Sequence, residues 1–289
     1  MTKLKKPLLS VLMIYGVCFV FRWIEYFHIR TDKTFVGEAV LHKLIGIAVL
    51  CIALKLFSSN PAYIGFTKKR CLKHLFMGLL FGISVFVIGY GAEILLAVSQ
   101  GCFPSLQLYV SSYAVIGNVG NQTGLIFFII CVTGNIVNVL MEESIFRGLF
   151  QKILQQKYSF TAAAVTASLL FGSWHVIGPV RNYVDGISSM GGMAANILML
   201  VMTSALGGFK FAMITKLTGS LYMAMGDHFV NNTIVNMLHV VSSAGADEWM
   251  TVRMAAAQTV SFLAVLIVYM RKQKQAYVIK DSLTKTATL

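Results

Sequence analysis

Carboxylates are scarce in this chain: 11 acidic side chains stand against 24 basic ones in 289 residues, and charged residues of both signs make up only 12%. With 57% hydrophobic residues and a mean hydropathy of +0.74, a chain of this length has too little polar surface to cover its apolar residues in water. A soluble domain is therefore excluded. The apolar runs do not alternate with polar residues, which excludes a closed transmembrane barrel. Cys18, Cys51, Cys71, Cys102 and Cys131 are odd in number, lie mostly in or beside apolar runs and form no Cys-x-x-Cys, so neither a disulfide framework nor a zinc site is indicated. His-Glu-x-x-His is also missing, as is an internal repeat of the kind that builds inverted-repeat transporters. The net charge of +13 is spread over successive loops, so bilayer topology and anionic headgroups account for it without nucleic acid.

What is present is a succession of apolar runs, each about 20 residues long, enough to cross a ~30 Å hydrocarbon core as a helix. They predict an all-α, polytopic membrane protein, a bundle of about eight transmembrane helices near 8–28, 38–58, 73–97, 123–141, 160–178, 192–214, 219–240 and 252–270. The first run resembles a signal peptide, with Lys3, Lys5 and Lys6 ahead of it. Its apolar core is long and no small-residue cleavage site follows, so it reads as a retained helix with Arg22, Trp23 and Tyr26 as interfacial anchors. Lys3, Lys5 and Lys6, then Lys68, Lys69, Arg70 and Lys73, then Arg147, Lys152 and Lys157, then Lys210 and Lys216, then Arg271, Lys272 and Lys274 fall on one side of this plan. The opposite loops hold Arg30 and Lys33 with Asp32, an uncharged stretch 99–122, Arg181 with Asp185, and Asp247 with Glu248. The positive-inside rule then makes both termini cytoplasmic, in a multi-pass protein of the plasma membrane. Three regions follow: N-terminal spans over 1–120, a core over 121–245, and a last span with a basic cytoplasmic tail over 246–289.

Three polar clusters interrupt the later apolar runs, and ionisable groups within a bilayer mark function by default. The first is Met141-Glu-Glu-Ser-Ile-Phe-Arg-Gly148. On a helix Glu143 and Arg147 are four apart with the acid first, a favourable ion-pair order, while Glu142 is turned about 100° away and stays available for proton transfer. The bland alternative is a helix-end salt bridge at the interface. The second is Phe171-Gly-Ser-Trp-His175, where ring and imidazole share a face; a lone histidine in an apolar helix is more often a hydrogen-bonded core residue, and Trp174 fits an aromatic belt. The third is His228-Phe-Val-Asn-Asn232, two neutral donors on one face, suited to an oxyanion or to helix–helix adhesion.

Taken in order, Glu142-Glu-Ser-Ile-Phe-Arg147-Gly, Phe171-x-x-x-His175 and His228-x-x-x-Asn232 resemble the motifs of the CAAX-processing and bacteriocin-processing (Abi) family of intramembrane glutamic endopeptidases. Leu206-Gly-Gly-Phe through Thr218-Gly-Ser-Leu-Tyr222 resembles the lead-in to the third motif, and the likeness covers about residues 123–240. The resemblance implies an eight-helix bundle with a cytoplasm-facing polar cavity and metal-free hydrolysis of a membrane-associated peptide or protein, lipidated or not. By the same resemblance Glu142 and His175 activate water, His228 and Asn232 hold the oxyanion, Glu143 and Arg147 support the site, and no cofactor or metal takes part. Two rivals stay open. Two histidines and a glutamate suffice for zinc, although Asn232 is a poor ligand. Related chains act in bacteriocin self-immunity and in control of sensor kinases, so a non-catalytic role is the other. One tension also stands: these spans set Glu142 near the cytoplasmic edge and His175 near the outer end, unless Gly178-Pro179 ends the fifth helix early.

Overall fold

The computed structural model describes residues 1–34, 36–111 and 120–286, with side chains to residue 276. Helix α1 (Pro7–Ile24) passes through a π-helical turn, Glu25–Ile29, into the connection to α2 (Leu41–Leu56). Helix α3 (Cys71–Ser99) and strand β1 (Ser105–Leu108) precede α4 (Leu125–Glu142), which continues as a π-helix, Glu143–Phe150, and then as α5 (Gln151–Leu154). After these come α6 (Phe160–Trp174), α7 (Ile177–Val184), α8 (Met190–Thr218), α9 (Tyr222–Met237), strands β2 (Leu238–Ser242) and β3 (Gly245–Ala246), and α10 (Met250–Thr286). The chain is a mainly helical, polytopic membrane protein, and among the described residues six helical segments have the length and apolarity to cross a bilayer. Part of the uncharged stretch (112–119) and the last residues of the basic tail (287–289) lie outside the described residues.

Two expected spans fall short of that length. Helices α2 and α9 have 16 residues each, roughly 24 Å at 1.5 Å per residue. Helix α2 starts late because its first amides are claimed by the π-helical turn after α1: Glu25 accepts from the backbone N–H of Leu41 at 2.7 Å and of His42 at 2.5 Å, a carboxylate cap on a helix N-terminus. Helix α9 ends early because Leu238-His-Val-Val-Ser pairs as β2 with β1. A three-stranded antiparallel sheet, β1-β2-β3, is thus added to the otherwise all-helical expectation. His239 fastens it, with Nδ1 at 2.6 Å from Asp247 and its ring stacked on Tyr109 at 3.9 Å. Burial pushes the Asp247 carboxyl up, but the His239 hydrogen bond and the Arg253 charge outweigh it and hold the group below its ordinary value.

Hydrogen bonds and ion pairs sort the connections to two ends of the bundle. At the first, Thr2 donates its amide to the Phe57 carbonyl, Leu4 donates to the Gln156 side chain, and Leu221 donates to the Gly65 carbonyl. At the second, Arg30 pairs with Asp185 at 2.5 Å, Arg181 pairs with Asp32 at 3.0 Å, and the sheet forms. Successive connections therefore alternate between ends. Two charges assigned to loops do not belong there. Arg147 and Lys210 are only 2% and 1% exposed, and each pairs within the bundle, Lys210 with Asp227 at 2.8 Å.

Close helix contacts rest on small residues, as they do where lipid removes a hydrophobic drive between helices. A Cβ added at Gly78 in α3 would lie 2.2 Å from the Met223 carbonyl oxygen, and one at Gly226 in α9 would lie 2.6 Å from that of Leu75. Gly172 in α6 meets the Val201 carbonyl of α8 in the same way, at 2.5 Å. These contacts fix the depth of α9 and α6, and so of the histidines they carry.

Candidate active site

The expected carboxylates lie inside the bundle, not at its edge. The helix that ends at 141 in the sequence plan continues through Glu143–Phe150 and Gln151–Leu154, so Glu142 is mid-helix and 3% exposed. The change from α- to π-helix falls between Glu142 and Glu143, a distortion that recurs at functional sites. His175 reaches the same depth from the other direction. Pro179 lacks the N–H that would bond the His175 carbonyl in a continuing helix, so α6 stops at Trp174 and His175 caps it. The late helix edge and the early helix stop together remove the tension between the two motifs.

Glu142 is held on both oxygens. Its Oε1 accepts from Trp174 Nε1 at 3.1 Å and its Oε2 from Asn138 Nδ2 at 3.2 Å. Arg22 Nη1 lies 3.9 Å from Oε1, and His228 Nε2 lies 3.7 Å from Oε2. Glu143 takes His228 Nδ1 at 2.8 Å and lies 3.4 Å from Arg147 Nε. The Arg147 guanidinium rests on Phe171 at 3.8 Å, with Phe211 at 5.2 Å, so aromatic faces replace the hydrogen-bond partners that its nitrogens lack among the described residues.

A cavity of about 260 Å³ opens beside this network. Of the residues singled out in the sequence, Glu142, His175 and Asn232 line it, whereas Glu143, Arg147 and His228 lie behind the wall. His175 Nδ1 faces the Phe171 carbonyl oxygen at 2.8 Å, which assigns the proton to Nδ1 and leaves Nε2 as a free base. Asn232 Oδ1 accepts from Asn231 at 3.1 Å, and its Nδ2 has no hydrogen-bond partner among the described residues. Among the described residues no group of three His, Cys, Asp or Glu side chains is arranged to hold a metal ion.

Sequence reasoning missed several of the residues around Glu142. Trp174, read as an aromatic-belt residue, is 1% exposed and donates to the carboxylate. Arg22 and Tyr26, read as interfacial anchors, are 7% and 2% exposed and line the cavity. The buried ion pair of Lys43 and Glu38 lies on the same wall. Only Asn138 had a usable signal, its position one helical turn before Glu142.

The walls come mostly from the halves of α1, α2 and α9 nearer the second end of the bundle and from the middle of the continuous helix over 125–154. The chain termini begin from the first end. A polytopic helical protein with a polar cavity sunk in its apolar interior is therefore the class defined by fold and site. Residues 124–234 match the family model described as Rce1-like, type II CAAX prenyl endopeptidase, so this segment of the chain is similar to the CAAX-type membrane endopeptidases. No curated protein matches the chain.

Proposed function

We propose that the chain is a metal-independent intramembrane glutamic endopeptidase acting on a membrane-associated peptide or protein. The observation that carries this reading is the meeting, on one cavity wall, of the Glu142 carboxylate and a His175 ring whose Nε2 is left basic. In this reading Glu142, aided by His175, takes a proton from water as its oxygen attacks the scissile carbonyl carbon. The tetrahedral oxyanion collapses, the C–N bond breaks, and the proton passes to the leaving amine. Asn232 Nδ2 stabilises the oxyanion. His228, Glu143 and Arg147 act from behind: the two His228 nitrogens face both carboxylates, which suits holding them in place more than reaching substrate. We also take α2 and α9 as short spans, which gives eight crossings, with the catalytic core over 121–245 and flanking regions over 1–120 and 246–289.

The test is cleavage of a panel of prenylated and unprenylated membrane-associated peptides by the purified protein, with cuts mapped by mass spectrometry. Glu142→Gln is expected to lower turnover ~10²–10⁴-fold, the usual cost of losing a general base, while peptide binding persists. A chelator is expected to leave the parent active. Chelator sensitivity with stoichiometric bound zinc would move the protein to the metalloproteases. Tight binding of a peptide or partner protein with no cleavage of any kind would favour an immunity or regulatory role.

A further inference from the structure

Arg22 stands on α1, outside the segment that matches the family, and lines the cavity beside Glu142. Its guanidinium is 7% exposed, stacks on Trp174 at 4.5 Å, and reaches Tyr26 Oη at 3.5 Å through Nη2 alone. Its Nε and Nη1 have no hydrogen-bond partner among the described residues. The 3.9 Å separation from Glu142 is too long for a hydrogen bond, so the two are charges in proximity rather than a closed pair. Buried cationic donors left unused inside a bilayer protein are costly, and they persist where something else is to be bound.

We infer that Arg22 is a catalytic oxyanion donor of the proposed hydrolysis, acting with Asn232; this rests on the glutamic-protease reading above. An oxyanion site calls for fixed donors aimed where charge develops, next to the water that Glu142 activates. On α9, Asn232 has a free N–H on the cavity wall, and His228 is hydrogen-bonded through Nδ1 to Glu143, with its Nε2 3.7 Å from Glu142. Arg22 adds a cation to the same wall from α1. Its stack on Trp174, which itself donates to Glu142, fixes the guanidinium relative to the base. The charge bookkeeping also favours it. When Glu142 takes the proton, negative charge leaves its carboxylate and appears on the substrate oxygen. A cation close to Glu142 but not hydrogen-bonded to it then gains a new partner in the transition state only, and that difference is what accelerates a reaction.

The experiment uses the full chain with a peptide that the parent cuts and Glu142→Gln does not. Arg22→Gln is expected to lower kcat ~10²–10³-fold with KM nearly unchanged, and Arg22→Lys to recover part of the loss because it keeps the charge but not the fork. Added methylguanidinium is expected to restore part of the activity of Arg22→Ala, which a purely structural loss would not allow. An unchanged plateau kcat with only the acid limb of the pH profile displaced would overturn the inference, since Arg22 would then act only on Glu142 ionisation. A raised KM at constant kcat would overturn it in favour of ground-state binding. If Arg22→Gln misfolds, kcat of the charge-retaining Arg22→Lys decides, full parental activity counting against the inference. A parent whose cleavage survives Glu142→Gln would remove the underlying reading instead, and this one with it.

Discussion

His228 and Asn232 sit one turn apart on α9, yet their surroundings differ. His228 is 4% exposed, stacked on Phe211 at 4.9 Å and clamped between the two glutamates. Asn232 faces the cavity with a free amide. Their effects should therefore separate. Asn232→Ala is expected to lower kcat ~10²–10³-fold and leave the melting temperature nearly unchanged. Among the described residues His228→Ala leaves the buried Glu143 with Arg147 as its remaining ion-pair partner, and a weakened buried pair is strongly destabilising, so stability and kcat should fall together. Thermal unfolding in detergent beside steady-state kinetics checks both; equal stability losses in the two variants would refute the division. The spacing of residues four apart was legible in the sequence because a helix turn fixes which side chains share a face. Which of two such residues meets the cavity was not legible. That depends on what packs from α4, α6 and α8, and no periodicity in α9 encodes it.

At the scale of elements, the site depends on two local departures from regular helix and on close glycine packing. The π-helix Glu143–Phe150 carries Glu142 into the middle of a long helix, Pro179 stops α6 at His175, and glycine contacts set the depth of α9. Of these, the stop at Gly178-Pro179 could be read in advance, because a missing N–H is a property of one residue. The π-helix could not be, since its wider turn is chosen by packing around Phe146, Leu149 and Phe150, all within 1% of full burial. The short lengths of α2 and α9 were hidden for a related reason: Glu25 and strand β1, distant in sequence, set where those helices begin and end. Gly226→Ala tests the packing. Its Cβ would meet backbone of α3 at 2.6 Å, so α9 must shift, at a cost of about 1–3 kcal/mol, the usual range for overpacking. The melting temperature should drop and turnover with it, because Asp227 and His228 move with the helix. Gly207→Ala, where nothing lies within 4 Å, is the control and should be near neutral. A tolerated Gly226→Ala with a fully active site would show that α9 need not be held at this depth.

For the whole molecule, the unresolved tension is between charge and cavity. The first end of the bundle carries Lys3, Lys5, Lys6, Lys68, Lys69, Arg70 and Lys157, and this bias persists after Arg147 and Lys210 are withdrawn as buried residues. At the second end Arg30, Arg181 and Arg253 are each paired with Asp or Glu. By the positive-inside rule this bias favours a cytoplasmic first end, with the N-terminus, as a proposal to be tested. The family resemblance instead implies a cavity that faces the cytoplasm, whereas the wall residues Arg22, Lys43 and Asn236 approach the second end. One measurement settles both. With the native cysteines replaced, Arg70→Cys is expected to be labelled by a membrane-impermeant thiol reagent only from the cytoplasmic side, and Ala244→Cys only from the other. Substrate would then enter from the non-cytoplasmic face or laterally from lipid, and a peptide confined to the cytoplasm would not be cut. The reverse labelling would put the cavity mouth in the cytoplasm and leave the lysines of the first end on the outside. In that case the charge bias would have to be read as a contact surface for anionic headgroups of the outer leaflet rather than as a topology signal.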